Sequence, residues 1–296
     1  MDLESFNTSR ESLVPLLALN NKSNKNIIIF PTDKEAIEFS TDFSNLNKNI
    51  FHLPSWDTLS YDSFVPSFDI QGKRLEIAHL LLTNNNYNIA TSIKAISQRI
   101  YFEELEICKI ELNEEIDFDS LIENLIHLKY QRKDRVESKG SFAIRGGQLD
   151  VYPINYDSPL RVIFDGDLVN EIKTFDTISQ RSVSEKKDIL IVPATELFQI
   201  KYSDILNLSS NKKENLDDYE LFQYSQNLDL EKCLLDLTSN VSLHIVDKNI
   251  VDNQLKEIID IEKDTFENLK QYFSLEISNF KSRYKDISKF FGEYDI

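Results

Sequence analysis

"NIIIFPTDKEAIEF", residues 26–39, decides the class of fold. Residues 26–30 form an unbroken, largely β-branched apolar run, which suits a strand buried on both faces of a parallel sheet. Pro31 ends the run. Thr32 and Glu35 then make a capping box, the hydroxyl accepting from the Glu35 amide while the carboxylate reaches back to the start of the helix. Ala36, Phe39, Phe43 and Leu46 give that helix an apolar stripe. The same alternation continues outward. "IFHLPS" (50–55) reads as the next strand, "QGKRLEIAHLLL" (71–82) as a helix with Leu75, Ala78 and Leu82 on one face, and "NIATS" (88–92) as a further short strand. Strands alternating with helices imply a parallel sheet joined by right-handed crossovers.

The character then changes. Ser120 and Glu123 predict a second capping box, followed by a helical stripe of Leu121, Leu125 and Leu128. From residue 141 the chain is rich in strands. In "SFAIRGGQLDVYP" (141–153) the bulky apolar residues occupy even positions before the glycine pair, Phe142 and Ile144, and odd positions after it, Leu149 and Val151. A continuous strand cannot change parity without turning its apolar set outward, so a turn or bulge is required. Gly146-Gly147 supplies positive φ at little cost. Asp165-Gly166 marks a hairpin within 160–176. "QRSVSEKKDILIVPA" (180–194) reads as a polar connection into the strand "ILIVP". Beyond Phe198 the chain reads as acidic and mostly helical, with "VSLHIVD" (241–247) the exception. Phe266, Leu269, Tyr272, Phe273 and Phe280 fall at helical spacing near the end, and the aromatic close "SKFFGEYDI" suggests a piece of a longer protein.

Composition narrows the function. With 296 residues the chain has room for two domains. It contains no apolar run near the ~18 residues of a membrane span, and its first residues have no signal-peptide pattern, so a cytoplasmic protein is expected. Cys108 and Cys233 fit no metal or redox spacing and read as buried thiols, and the four histidines form no ligand cluster. The net charge of −17 opposes non-specific nucleic-acid binding. Locally the sign reverses: Lys129, Arg132, Lys133, Arg135, Lys139 and Arg145 face only Asp134 and Glu137. No P-loop pattern G-x-x-x-x-G-K-[ST] occurs, and GxGxxG, HExxH, CxxC and GxSxG are absent too, so no catalytic, cofactor or metal residue is assigned. Asp247 ends a strand as a Walker-B aspartate would, but Lys248 follows it, and a turn-capping role is expected. Asp57, Asp62 and Asp69 read as turn and cap residues. The glycine pair, by contrast, presents Arg145 outward beside Arg132 on a backbone that a partner could approach, and arginine forks pair well with carboxylates.

At this point the motifs carry a resemblance. Residues 130–183 hold the ordered patterns Y-x-R-x-D-x-V, G-x-[FY]-x-x-R-G-x-x-[IL]-D-[IV]-[FY]-P, P-x-R-[IV]-x-F and S-Q-R-[ST], and they resemble the UvrB-homologous domain near the N-terminus of the bacterial transcription-repair coupling factors (Mfd proteins). "LPSWDTLSYDSFVPSFDIQGKRLEIAHLL" (53–81), "TSIKAISQRI" (91–100) and "ILIVPATELF" (189–198) resemble further elements of the same family, although Ser60 stands where the family usually has proline. The resemblance covers about 27–198 well and 199–296 loosely. It implies an α/β fold: a degenerate RecA-like, P-loop-less parallel-sheet domain of residues 1–104 and 191–296, with an α+β domain inserted at 105–190. It implies a non-enzymatic module that recruits the excision-repair protein UvrA, with Arg132, Phe142, Arg145, Gly146 and Gly147 at the partner surface. It also implies that RNA polymerase, DNA, ATP and magnesium engage only other domains of such a protein. Two alternatives stand beside it, a UvrB-like helicase subunit that binds nucleotide and damaged DNA, and a free-standing adaptor without a motor.

Overall fold

The computed structural model describes residues 3–8, 25–45, 49–59, 64–200, 231–269 and 280–288. In chain order its strands and helices are β1 (Leu3–Thr8), β2 (Lys25–Phe30), α1 (Asp33–Asn45), β3 (Phe51–Leu53), α2 (Phe68–Thr83), β4 (Tyr87–Ser92), α3 (Ile93–Ser97), β5 (Cys108–Glu111) and α4 (Phe118–His127). There follow β6 (Gln131–Arg132), β7 (Ser141–Arg145), β8 (Gln148–Tyr152), β9 (Leu160–Asp165), β10 (Leu168–Phe175), β11 (Ser182–Glu185), β12 (Asp188–Ile191), β13 (Val241–Val246) and α5 (Lys248–Leu269). The chain divides into two compact units: Met1–Pro66, Ile77–Tyr101 and Ile200–Ile296 form the first, and Ser67–Glu76 with Phe102–Gln199 the second.

The first unit is built on a parallel sheet of order β1-β13-β2-β4-β3. Ile27, Ile28 and Ile29 are inaccessible to solvent, so β2 is covered on both faces as its uniform apolar run requires. The Thr32–Glu35 capping box forms in both directions: Thr32 N donates to Glu35 Oε2 at 3.2 Å and Glu35 N to Thr32 Oγ1 at 3.3 Å. Ala36, Phe39 and Phe43 then pack in one cluster with Ile28, Phe30, Ala90 and Val246, while Leu46 lies outside the described residues. β13 is buried along its whole length. Its His244 sits 3.1 Å from Asn26 Oδ1, and burial pushes the imidazole pKa down to about 4. Asp247 has φ +54°, and its backbone carbonyl accepts the amides of Ile250 and Val251 as α5 opens. At the ends of β2 and β4, Asp33 accepts hydrogen bonds from the Ser55 and Ser92 hydroxyls at 2.5 and 2.7 Å. Phe266 of α5 packs against Phe280 with ring centroids 5.6 Å apart, but Phe280 belongs to irregular chain rather than to a continuing helix. Tyr272 and Phe273 lie outside the described residues.

The second unit holds a six-stranded sheet of order β11-β10-β9-β8-β7-β6, antiparallel except where β6 joins β7, and a small ladder of β12 with β5. Leu121 and Leu125 of α4 are buried, and Phe118 meets Phe164 edge to face at 4.9 Å. The first half of α2 belongs to this unit. Arg74 Nε lies 2.9 Å from Glu196 Oε1 with both side chains almost fully buried, and Gln71 Oε1 accepts from Glu196 N and from the Thr195 hydroxyl.

Three readings of the sequence need correction. Leu82 is 48% exposed while Leu81 is buried, so at the end of α2 the buried stripe runs through Ile77, Ala78 and Leu81 and leaves Leu82 in solvent. The helix at 118 is capped by Asp117, whose carboxylate accepts Ser120 N at 2.7 Å. Ser120 is thus inside the helix, since an aspartate three residues upstream already takes the capping position. Residues 182–185, expected as a connection, form edge strand β11, held by backbone pairing and by the 2.7 Å contact of the Thr174 and Ser184 hydroxyls; an edge strand with all four residues exposed needs no apolar alternation.

Gly72 shows how closely α2 approaches the rest of its unit. A Cβ there would stand 2.5 Å from the Ile154 carbonyl oxygen. An exposed helical glycine gains roughly 1 kcal/mol on conversion to alanine. Here the sign should reverse, with Gly72→Ala costing about 1–3 kcal/mol as the helix is pushed off the Ile154 backbone. Urea unfolding followed by circular dichroism checks this, and a stabilised variant would contradict the contact.

Candidate partner-binding site

The glycine pair closes a two-residue hairpin. Arg145 pairs with Gln148, Ile144 with Leu149 and Phe142 with Val151, so the change of parity along the sequence brings all four apolar residues to one face. Each glycine meets a different demand. Gly146 adopts φ +60°, the left-handed region that side chains resist. Gly147 keeps the β9 backbone close: its carbonyl accepts Phe164 N at 2.7 Å, and a Cβ would stand 2.9 Å from Phe164 O.

The opposite face of the sheet carries polar chemistry. Arg161 makes a two-pronged pair with Asp150, Nε to Oδ1 at 2.7 Å and Nη2 to Oδ2 at 2.8 Å, and this bond raises the guanidinium pKa. Its guanidinium also lies 4.5 Å over the Phe175 ring. Residues 133–139 cross this face as a strap, with Val136 buried against Ala143 and Phe175. Two arginines pin the strap. Arg145 Nη2 donates to Asp134 O at 3.1 Å, and Arg135 Nη2 donates to Thr177 O at 2.8 Å and Ile178 O at 3.2 Å. Arg135 thereby ties the strap to the turn between β10 and β11. In that turn Ser179 N donates to Asp176 Oδ1 at 2.7 Å, which holds the Asp176 carboxyl below the usual carboxylate range.

The residues expected at a partner surface separate into two groups. Arg132 and Arg145 are exposed, as are Gly146 and Gly147. Phe142 has no solvent exposure and lies in the core of the sheet. Register aligns Arg132 with Phe142, which places it on the face opposite to Arg145. Arg132 and Lys133 make no side-chain ion pair or hydrogen bond among the described residues, so their charge is available. The sequence marks Arg135 only as one cation of the basic run and passes over the turn at 176–181. The usable signal was the D-x-x-S spacing of Asp176 and Ser179, an Asx-turn pattern. Cys108 and Cys233 are buried free thiols whose pKa burial pushes up to about 12. Among the described residues no group of three or more histidines, cysteines or carboxylates could hold a metal, and no helix is long and apolar enough to cross a membrane.

Comparison with known proteins coincides with this unit. Residues 108–197 match the family model described as the UvrB interaction domain. The chain is 31% identical over 158 residues to the transcription-repair-coupling factor of Myxococcus xanthus, covering 52% of this chain and 13% of that protein. The Bacillus subtilis transcription-repair-coupling factor is 29% identical over 189 residues, covering 61% of this chain and 16% of its own length. UvrABC system protein B of Thermosipho africanus is 22% identical over 215 residues, 67% of this chain and 32% of that protein. The chain therefore spans only a small part of the curated relatives it matches.

Proposed function

We propose, from the premise that this chain carries a UvrB interaction domain and corresponds over about half its length to part of a transcription-repair coupling factor, that it is a protein-docking module that recruits UvrA to stalled RNA polymerase in transcription-coupled repair. One observation carries the reading. In a protein of net charge −17, the matched domain exposes Arg145 at the glycine-turned hairpin and Arg135 on the strap over the same face, with Arg132 on the other face of the sheet. Such a patch suits a carboxylate-bearing protein surface, since arginine forks bind carboxylates with defined geometry, while the overall charge disfavours a nucleic-acid backbone. Phe142 enters this reading as a positioning residue that fixes β7 from within the core.

The first unit supports a non-enzymatic role. The sequence carries no G-x-x-x-x-G-K-[ST] pattern, which favours a degenerate RecA-like domain that takes no nucleotide. RNA polymerase and DNA contacts, with ATP and magnesium, are then the business of other parts of such proteins. The closer identity to coupling factors than to UvrABC system protein B favours this reading over a UvrB-like helicase subunit.

Calorimetric titration with UvrA at two salt concentrations tests the proposal. Arg145→Ala should weaken binding by about 2 kcal/mol, with a smaller loss at high salt. Arg132→Ala combined with it should weaken binding further. A folded chain that does not bind UvrA at either salt concentration overturns the reading.

A further inference from the structure

Ile178 is 87% exposed and Val183 72%, the two most exposed large hydrophobic residues among the described residues of the second unit. Both belong to one hairpin, Ile178 at the turn between β10 and β11 and Val183 on the outer strand β11. Among the other apolar residues of this hairpin, Val169, Ile172 and Phe175 are buried, and Leu168, at the start of β10, is 37% exposed. Lone exposed apolar residues are common on protein surfaces and need no explanation. The construction of this turn sets it apart.

The turn backbone is held from within and from outside. Asp176 N donates to Arg181 O at 3.0 Å, Gln180 N to Asp176 O at 2.8 Å and Gln180 Nε2 to Thr177 O at 2.7 Å. From outside, Arg161 Nη1 donates to Gln180 O at 3.1 Å, and Arg135 takes the carbonyls of Thr177 and Ile178. Gln180 accepts φ +60° within this arrangement. Two arginines thus fix the backbone of a turn whose tip side chain stands in water. An aliphatic β-branched side chain there adds nothing to the turn, which polar residues form best. A fixed backbone does, however, lower the ordering cost of docking.

We propose that Ile178, with Val183 beside it on the same hairpin, is an apolar anchor that enters a recess on an acidic protein partner. This inference rests on the docking function proposed above and takes the partner to be UvrA. Charge complementarity supports the choice of occupant. Arg135 contacts the Ile178 carbonyl, Arg181 is exposed three residues on, and Arg145 holds the strap at Asp134, the residue next to Arg135. An apolar centre within a charged rim is the usual anatomy of an energetically dominant interface site. A nucleic acid fits less well, because an aliphatic side chain offers neither a stacking plane nor charge for phosphate.

The test uses the full chain and purified UvrA, titrated calorimetrically at low and high salt, with thermal melting of every variant. Ile178→Ser should melt with the wild type, because the side chain is already in water, and should bind about ten- to a hundredfold more weakly at both salt concentrations. Ile178→Val should recover most of that loss. Arg145→Ala should instead show a loss that shrinks as salt rises. If Arg145→Ala weakens binding while Ile178→Ser binds as the wild type does, the anchor is overturned and the docking function stands. If wild-type protein does not bind UvrA, both fall. Binding of a duplex DNA that depends on Arg132 and ignores Ile178 also overturns the anchor.

Discussion

Glu196→Ala should lower the stability of the protein by about 3–5 kcal/mol, because it strands a buried guanidinium. Arg74 and Glu196 are 1% and 3% exposed and meet at 2.9 Å. Their mutual attraction offsets the desolvation of both charges, so loss of one partner removes that compensation from the other. The double change Arg74→Met/Glu196→Leu should cost far less, since it removes both charges and keeps apolar volume. Urea unfolding of the two variants separates these cases. A loss below roughly 1 kcal/mol in Glu196→Ala would mean that water reaches the Arg74 guanidinium and that the pair behaves as a surface one.

Phe142→Ala should cost a similar ~3–5 kcal/mol, the range for an aromatic side chain deleted from a packed core. Phe142 has no exposed surface and pairs with Val151, and Ile144, on the same face of β7, pairs with Leu149. Its effect on UvrA binding should then follow the fraction of chain that remains folded. Titration at low temperature, where the variant stays native, should give wild-type affinity. Weakened affinity with an unchanged melting temperature would instead make Phe142 a contact residue, which would require β7 to open on binding.

The parts of the molecule that were legible in the sequence are those where local chemistry and burial agree. The run 26–30 is apolar at every position because β2 is covered on both faces, and Thr32–Glu35 is a capping box because nothing competes with it. The parity change around Gly146 and Gly147 could only be a turn or a bulge. Legibility failed where a polar residue carries tertiary structure. Arg74 faces inward because Glu196, distant in sequence, accepts from it, and Gln71 because its carbonyl oxygen accepts the Glu196 amide. β11 has no apolar alternation because an edge strand is held through its backbone. At the candidate site the exposed arginines were legible from charge alone, whereas Ile178 was not. Its importance comes from exposure, and no periodicity marks an apolar residue that stays in water.

The order of strands in the first unit has a consequence for synthesis. β13 lies between β1 and β2, and register pairs Leu243 with Ile27 on one side and with Ser5 on the other. β1 and β2 leave the ribosome early, but the strand that joins them is made only after the whole second unit. Until Val246 emerges, the Ile27–Ile29 edge that β13 will cover has no partner in place, a state in which strand edges invite mispairing. The second unit has no such wait. All its strands fall between Cys108 and Ile191, with short hairpin links from β7 to β11, so it can complete while the first unit is still open. A translational pause shortly before residue 241 would lengthen the exposure of the β2 edge, so the timing of elongation, as well as the final packing, bears on the yield of native protein.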